Sequence, residues 1–142
     1  MLESEVLPIL RNIIDDTDAS SYEYSDDRLI SLIYIAATYV NSELNFEYDI
    51  SVCNQIITQT PSSKFINLVS YKAACILMRS IQKSYAQNDF RVTDGPATVD
   101  IKGVSDKIEN VGNSICAEYD KLKFNNIMND GGYSISTPNS ES

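Results

Sequence analysis

Three aspartates within four positions, Asp15, Asp16 and Asp18, are the closest this sequence comes to a ligand cluster. Carboxylates at such spacing hold a hard cation when a glycine turn and a distal glutamate complete the loop, and neither follows at calcium-loop spacing. A solvated acidic loop is the plain reading. Histidine is absent, which removes imidazole acid–base catalysis, the Ser/His/Asp and Cys/His arrangements and most zinc sites. The five glycines form neither GxGxxG nor GxxxxGKS/T, so no phosphate-binding loop is present. Asp26 and Asp27 are accounted for as helix-start charges, and Asp94 and Asp100 as turn and strand-edge residues, leaving no carboxylate pair for general acid–base work. The expectation is a protein without catalysis, cofactor or metal.

A second group of charges is more informative. Lys72, Arg79 and Lys83 fall within roughly 40° of one another when Ser62 to Gln87 is projected at about 100° per residue. No acid lies between Ile50 and Asn88, so a basic ridge runs along this stretch. It admits three readings: a solvated face, a contact to an acidic surface on another subunit, or a contact to passing nucleic acid. The acids lie elsewhere. Of a net charge of −9, all the excess falls in Met1 to Asp49, with eleven acids against two bases, while Ile50 to Ser142 carries nine of each. Such a region repels nucleic acid and attracts basic partner surfaces. Basic and aromatic residues do not interleave as in a single-strand binder, and no helix-turn-helix signature occurs.

The 142 residues are 43% apolar and 22% charged, a composition that supports one folded domain and excludes wholesale disorder. Cys53, Cys75 and Cys116 are odd in number and lack CxxC spacing. That argues against a disulfide framework and for a reducing compartment, with the cysteines as small core or edge residues. MLESEVLPIL has no basic leader, and no apolar run approaches the ~20 residues of a membrane span, so a soluble, unexported chain is expected.

The elements that must position these residues are mostly helical. Glu3 to Ile14 places Leu2, Val6, Ile9, Leu10 and Ile13 at helical spacing, with Pro8 expected in the first turn, because an interior proline costs ~3 kcal/mol. Asp15 to Tyr24 is a polar loop. Ser25 caps a second helix, 25–44, with Asp26 and Asp27 in its first turn and a stripe of Leu29, Ile33, Ala36, Ala37, Val40 and Leu44. Ile30, Tyr34 and Ile35 lie off that stripe, either as a second interface or as the wide face of a core helix. Residues 48–58 alternate as one or two short strands. Pro61 ends them, and Ser62 or Ser63 caps the central helix, 63–87. Its apolar arc of roughly 200° is wider than that of a helix with one wet side and demands neighbours on two sides. Asp94-Gly95-Pro96 is a turn signature, and Val99 and Ile101 alternate, which predicts a hairpin or extended arm over 90–102. A fourth helix follows, 104–128, with a seam of Val104, Ile108, Val111, Ile115, Tyr119 and Leu122; Gly112 inside it eases close packing or a bend. Residues 129–142 form a small, polar, flexible tail.

The fold class expected is therefore mainly α: a four-helix bundle over 1–128 with a small β-hairpin or extended arm and a flexible C-terminal tail. Within that order, KFINLVSYKAACILMRS (Lys64 to Ser80), preceded by IITQTPSS, and DGPATVDIKG (Asp94 to Gly103), leading into a helix that contains AEYDKL, resemble the head-to-tail connector (adaptor, neck) proteins of tailed bacteriophages. SDDRLISLIYIAATYV (Ser25 to Val40) fits their acidic cap and Ala-containing stripe. The resemblance covers most of Met1 to Met128 and rests on order and spacing.

It implies a structural virion protein, assembled in the host cytoplasm, that forms a homo-oligomeric ring below the portal, a dodecamer in the best known members. The ring extends the DNA channel, passes genomic DNA without specific binding, docks the next neck or tail protein and involves no membrane. Asp94, Gly95, Pro96, Val99 and Ile101 then belong to an arm contacting a neighbour or stopper, and Tyr133 and Ile135 to a tail that reaches the portal. Lys72, Arg79 and Lys83 of one subunit would face Asp26 and Asp27 of the next, a head-to-tail contact that closes a ring. The alternative is a small acidic regulatory or DNA-mimic protein that blocks a basic nucleic-acid-binding surface.

Overall fold

The computed structural model describes residues 2–91 and 96–129, with side chains for 2–84 and 106–128. In chain order it contains α1 (Leu2–Ile13), α2 (Asp26–Leu44), β1 (Ile50–Ser51), β2 (Ile56–Ile57), α3 (Ser63–Arg91) and α4 (Pro96–Asn129). The fold is mainly α, with one small antiparallel hairpin in which Ile50 pairs with Ile57 and Ser51 with Ile56.

The helix starts follow capping chemistry. Ser25 accepts a hydrogen bond from the Arg28 N–H and so satisfies one of the orphan donors of α2. Asn45 closes the same helix in the left-handed conformation, which asparagine tolerates. Ser62 does for α3 what Ser25 does for α2, accepting from Phe65 N at 3.2 Å. Pro8 sits inside α1, past its first turn. The apolar face of α1 explains why the helix tolerates it: Leu2, Val6 and Leu10, at successive steps of four, are fully buried, each stabilising by about 2 kcal/mol and together outweighing the proline.

α3 is the central element, touched by α1, α2 and α4. Ile66, Val69, Ala73, Ala74 and Leu77 are buried, and so are Phe65 and Leu68, outside the expected arc. From α2, Leu29, Ile33, Ala36, Ala37 and Val40 complete one continuous core. Tyr34, off the stripe, is also fully buried and donates to Glu3 of α1. Ile35, by contrast, is exposed.

α4 packs antiparallel on α3, since facing pairs run in opposite order: Lys72 with Tyr119, Cys75 with Cys116, Met78 with Gly112. A Cβ at Gly112 would stand 3.4 Å from the Met78 Cβ, so the glycine does permit close approach. It also rotates the seam: Val111 is 48% exposed, and the buried line runs through Gly112, Ile115, Cys116, Tyr119 and Asn126.

Besides the place of Pro8, two expectations are corrected. Residues 96–102 form no strand or extended arm: α3 runs to Arg91 and α4 begins at Pro96. Proline suits the first helical position, where its missing N–H is no loss and its φ is already set. Val99 and Ile101 therefore lie in the first turns of a helix, and their alternation over five residues was too short to specify a strand. Cys75 and Cys116 are not separate core thiols but a disulfide joining α3 to α4, with Cα atoms 4.9 Å apart; an odd count leaves room for one bridge plus Cys53, which is free and exposed.

Candidate assembly surface

Lys72 projects from α3 to where α2 and α4 converge. Its Nζ lies 3.6 Å from Glu43 Oε2 and over the rings of Tyr39 and Tyr119, at 5.4 and 4.9 Å from their centroids. Glu43, in the last turn of α2, also accepts from the Tyr119 hydroxyl at 2.6 Å and lies 3.7 Å from Lys123 Nζ. Burial alone would push the Glu43 carboxyl up, but the Tyr119 hydroxyl and the Lys72 and Lys123 charges outweigh it and hold it below the usual range. Tyr119 responds in the opposite sense: burial, then the hydrogen bond and charge of Glu43, drive its phenol well above its ordinary value. Lys72 is thus engaged inside the protomer. Its ion pair is worth little alone; with two aromatic faces it fixes the junction of three helices.

The other two ridge residues are exposed. Arg79 donates to Gln82 on its own helix at 3.0 Å and to Asn113 of α4 at 2.9 Å, and Lys83 stands one turn further on.

Asp26 and Asp27 are both exposed, but Asp26 has a partner in its own chain. The buried Arg11 guanidinium donates to Asp26 Oδ1, to Asp16 Oδ2 at 2.8 Å and to the Tyr24 carbonyl at 3.2 Å, with Tyr22 stacked on it at 3.5 Å. Asp16 accepts from the Glu23 and Tyr24 N–H groups. The loop expected to be solvated is therefore wrapped around a buried ion pair, which is why Asp16 points inward. Asp15 and Asp18 are the exposed members of the cluster; the Ser20 hydroxyl and N–H and the Ser21 hydroxyl lower the Asp18 pKa. Among the described residues no group of three or more carboxylates, cysteines or histidines is arranged to hold a metal.

Among the described residues, exposed apolar side chains beyond the single Tyr22 and Val111 fall into three sets. Ile35 and Tyr39 stand on α2, Ile35 lining a shallow α2–α3 groove with Ile76. Val52 and Ile56 mark the hairpin, and Phe124, Ile127 and Met128 the last turns of α4, with Phe124 60% exposed. A groove of about 470 Å³, lined in part by Arg28, Glu23, Met78 and Ser84, separates the acidic loop from α3 and α4.

Asp94, Gly95, Tyr133 and Ile135 lie outside the described residues, and Pro96, Val99 and Ile101 are placed by backbone alone. Sequence reasoning missed Glu43, Tyr119 and Lys123 as a unit. Tyr119 was legible as a seam residue, but nothing in a one-dimensional pattern pairs it with the end of α2. No helix among the described residues is long and apolar enough to cross a membrane. No family model, curated protein or solved structure matches the chain.

Proposed function

We propose that this chain is a head-to-tail adaptor in the neck of a tailed bacteriophage: a structural protomer that closes a ring below the portal, extends the DNA channel and docks the next neck or tail protein. The observation that carries the reading is the separation of its exposed apolar sets, Ile35 with Tyr39 on α2 and Phe124, Ile127 and Met128 on α4. Large apolar groups grouped on a surface mark contacts with other molecules, and a head-to-tail ring needs two different surfaces on each subunit. The resemblance in the sequence supports the reading through its helical stretches, Ser25 to Val40 and Lys64 to Ser80, and not through an arm at 96–102, which is helical. In this arrangement Arg79 and Lys83 of one subunit meet Asp27 and the acidic α2 start of the next, setting register and on-rate. An acidic conduit also lets DNA pass without holding it.

A DNA mimic has less support, because residues 50–142 carry as many bases as acids and the buried Asp16 is paired with Arg11 within the chain. The test is direct. The purified chain is analysed by light scattering alone and with portal particles encoded beside its gene; a ring mass, or a ring that appears only on the portal, is expected, and no binding under any condition overturns the reading.

A further inference from the structure

Between the first turn of α3 and the last turns of α4 lies a pocket of about 160 Å³ lined by Lys64, Asn67, Leu68, Leu122, Asn125 and Asn126. Asn126 is its distinctive group: the residue is 7% exposed, and its Oδ1 is buried without a hydrogen-bond partner. Buried polar atoms are nearly always satisfied, so an orphan beside a pocket points to an occupant.

The chemistry of the lining restricts that occupant. Oδ1 needs a donor, which a phosphodiester or an ionised carboxylate cannot supply. A cation would meet the Lys64 ammonium with no carboxylate among the lining residues to offset it. The volume is below the about 300–1,000 Å³ of cofactor and drug-like sites. What fits is a small group carrying a donor and an acceptor side by side, as each of the three asparagine carboxamides does. The peptide group has that pattern, and it serves the Asn126 carboxamide whichever of its ends faces the pocket. Leu68 and Leu122 give an apolar wall for one side chain, and Phe124, Ile127 and Met128 extend an exposed apolar surface over the same turns of α4.

We propose that this pocket takes the main chain of an extended peptide segment from a partner protein. The Asn126 carboxamide pairs with a peptide group through whichever end it turns to the pocket, accepting from the N–H or donating to the carbonyl, while Lys64, Asn67 and Asn125 donate to neighbouring carbonyl oxygens. Main-chain pairing supplies affinity and the leucine wall selects the side chain, as in other modes of extended-peptide recognition. The inference rests on the pocket and not on the adaptor reading.

The test is a titration of the ¹⁵N-labelled full chain with the capped peptide acetyl-Ala-Ala-Ala-N-methylamide and, separately, with sodium acetate, following the side-chain amide resonances of Asn67, Asn125 and Asn126. Saturable shifts with the peptide and none with acetate are expected, weakened about tenfold by Asn126→Leu, the effect of one lost hydrogen bond. Asn67→Ala, at an exposed position, weakens binding without touching the core and carries the test where Asn126→Leu does not fold. No saturable shift with the peptide, equal shifts with acetate, or unchanged binding by Asn67→Ala overturns the proposal.

Discussion

The Tyr119 hydroxyl of α4 donates to Glu43 at the end of α2 across 2.6 Å of space and 76 positions of sequence. It joins two helices that otherwise meet chiefly through α3. Tyr119→Phe leaves the ring and removes the bond, which is expected to cost about 1–2 kcal/mol for a partly exposed carboxylate acceptor. The urea midpoint falls while the m-value stays unchanged.

The same pair gives stability a signature at both ends of the pH scale. Glu43 is held below its ordinary value of 4.5, so its contribution is present above that pH and is lost as pH falls through the folded-state pKa. Glu43→Gln should flatten that acid limb. Tyr34 and Tyr119 are raised above 10.0, by burial first and then by Glu3 and Glu43 respectively. Their contribution is present below pH 10 and is lost as pH rises beyond it, because the unfolded chain ionises first. Tyr34→Phe and Tyr119→Phe each reduce the alkaline slope, measured by urea unfolding at stepped pH; parallel curves for wild type and variants would refute the assignment.

Arg11 is the organiser of the acidic loop. Arg11→Met strands the buried Asp16 carboxylate and is expected to destabilise by about 3–5 kcal/mol. Arg11→Lys falls between, since one ammonium cannot reproduce a planar fork on three acceptors. Hydrogen exchange at the Glu23 and Tyr24 amides, which Asp16 accepts, should accelerate in both variants. Unchanged exchange would show that the loop is held by something else.

The Cys75–Cys116 bridge spans 41 positions, for which the chain-entropy model gives a stabilisation of about 4 kcal/mol. Cys75→Ser combined with Cys116→Ser, or reduction with a dithiol, lowers the unfolding midpoint accordingly. A thiol reagent titrates Cys53 alone in the denatured, unreduced chain and all three cysteines after reduction; three reactive thiols before reduction would mean that the bridge does not form.

In the proposed ring, Arg79 and Lys83 form the charged contact. Both are exposed, and substitutions at such positions shift stability by about 0.5 kcal/mol or less. Arg79→Glu with Lys83→Glu should therefore leave the helical spectrum and Tm in place and abolish the ring mass. Assembly indistinguishable from wild type rejects the charged interface.

The helices were legible where chemistry is local. Ser25 and Ser62 announce their caps through hydroxyl oxygens three residues from the donors they satisfy, and α3 announces its centrality through an apolar arc too wide for one neighbour. What stayed hidden depends on partners distant in sequence. Arg11 shows no sign of burial until Asp16, Tyr24 and Asp26 gather around it. Cys75 and Cys116 become a pair only when two helices run antiparallel at close range, which Gly112 makes possible. Asp-Gly-Pro at 94–96 marks a break in either structure, and whether a strand or a helix follows is decided by the packing of the 34-residue α4 as a whole. For the candidate surface, charge segregation was legible, but not that Lys72 and Asp26 have partners at home.

The disulfide makes the peptide link between α3 and α4 dispensable as a tether. A chain cut by protease anywhere in 92–95 would still migrate as one molecule, its two pieces held through Cys75 and Cys116, and would separate only when reduced and denatured.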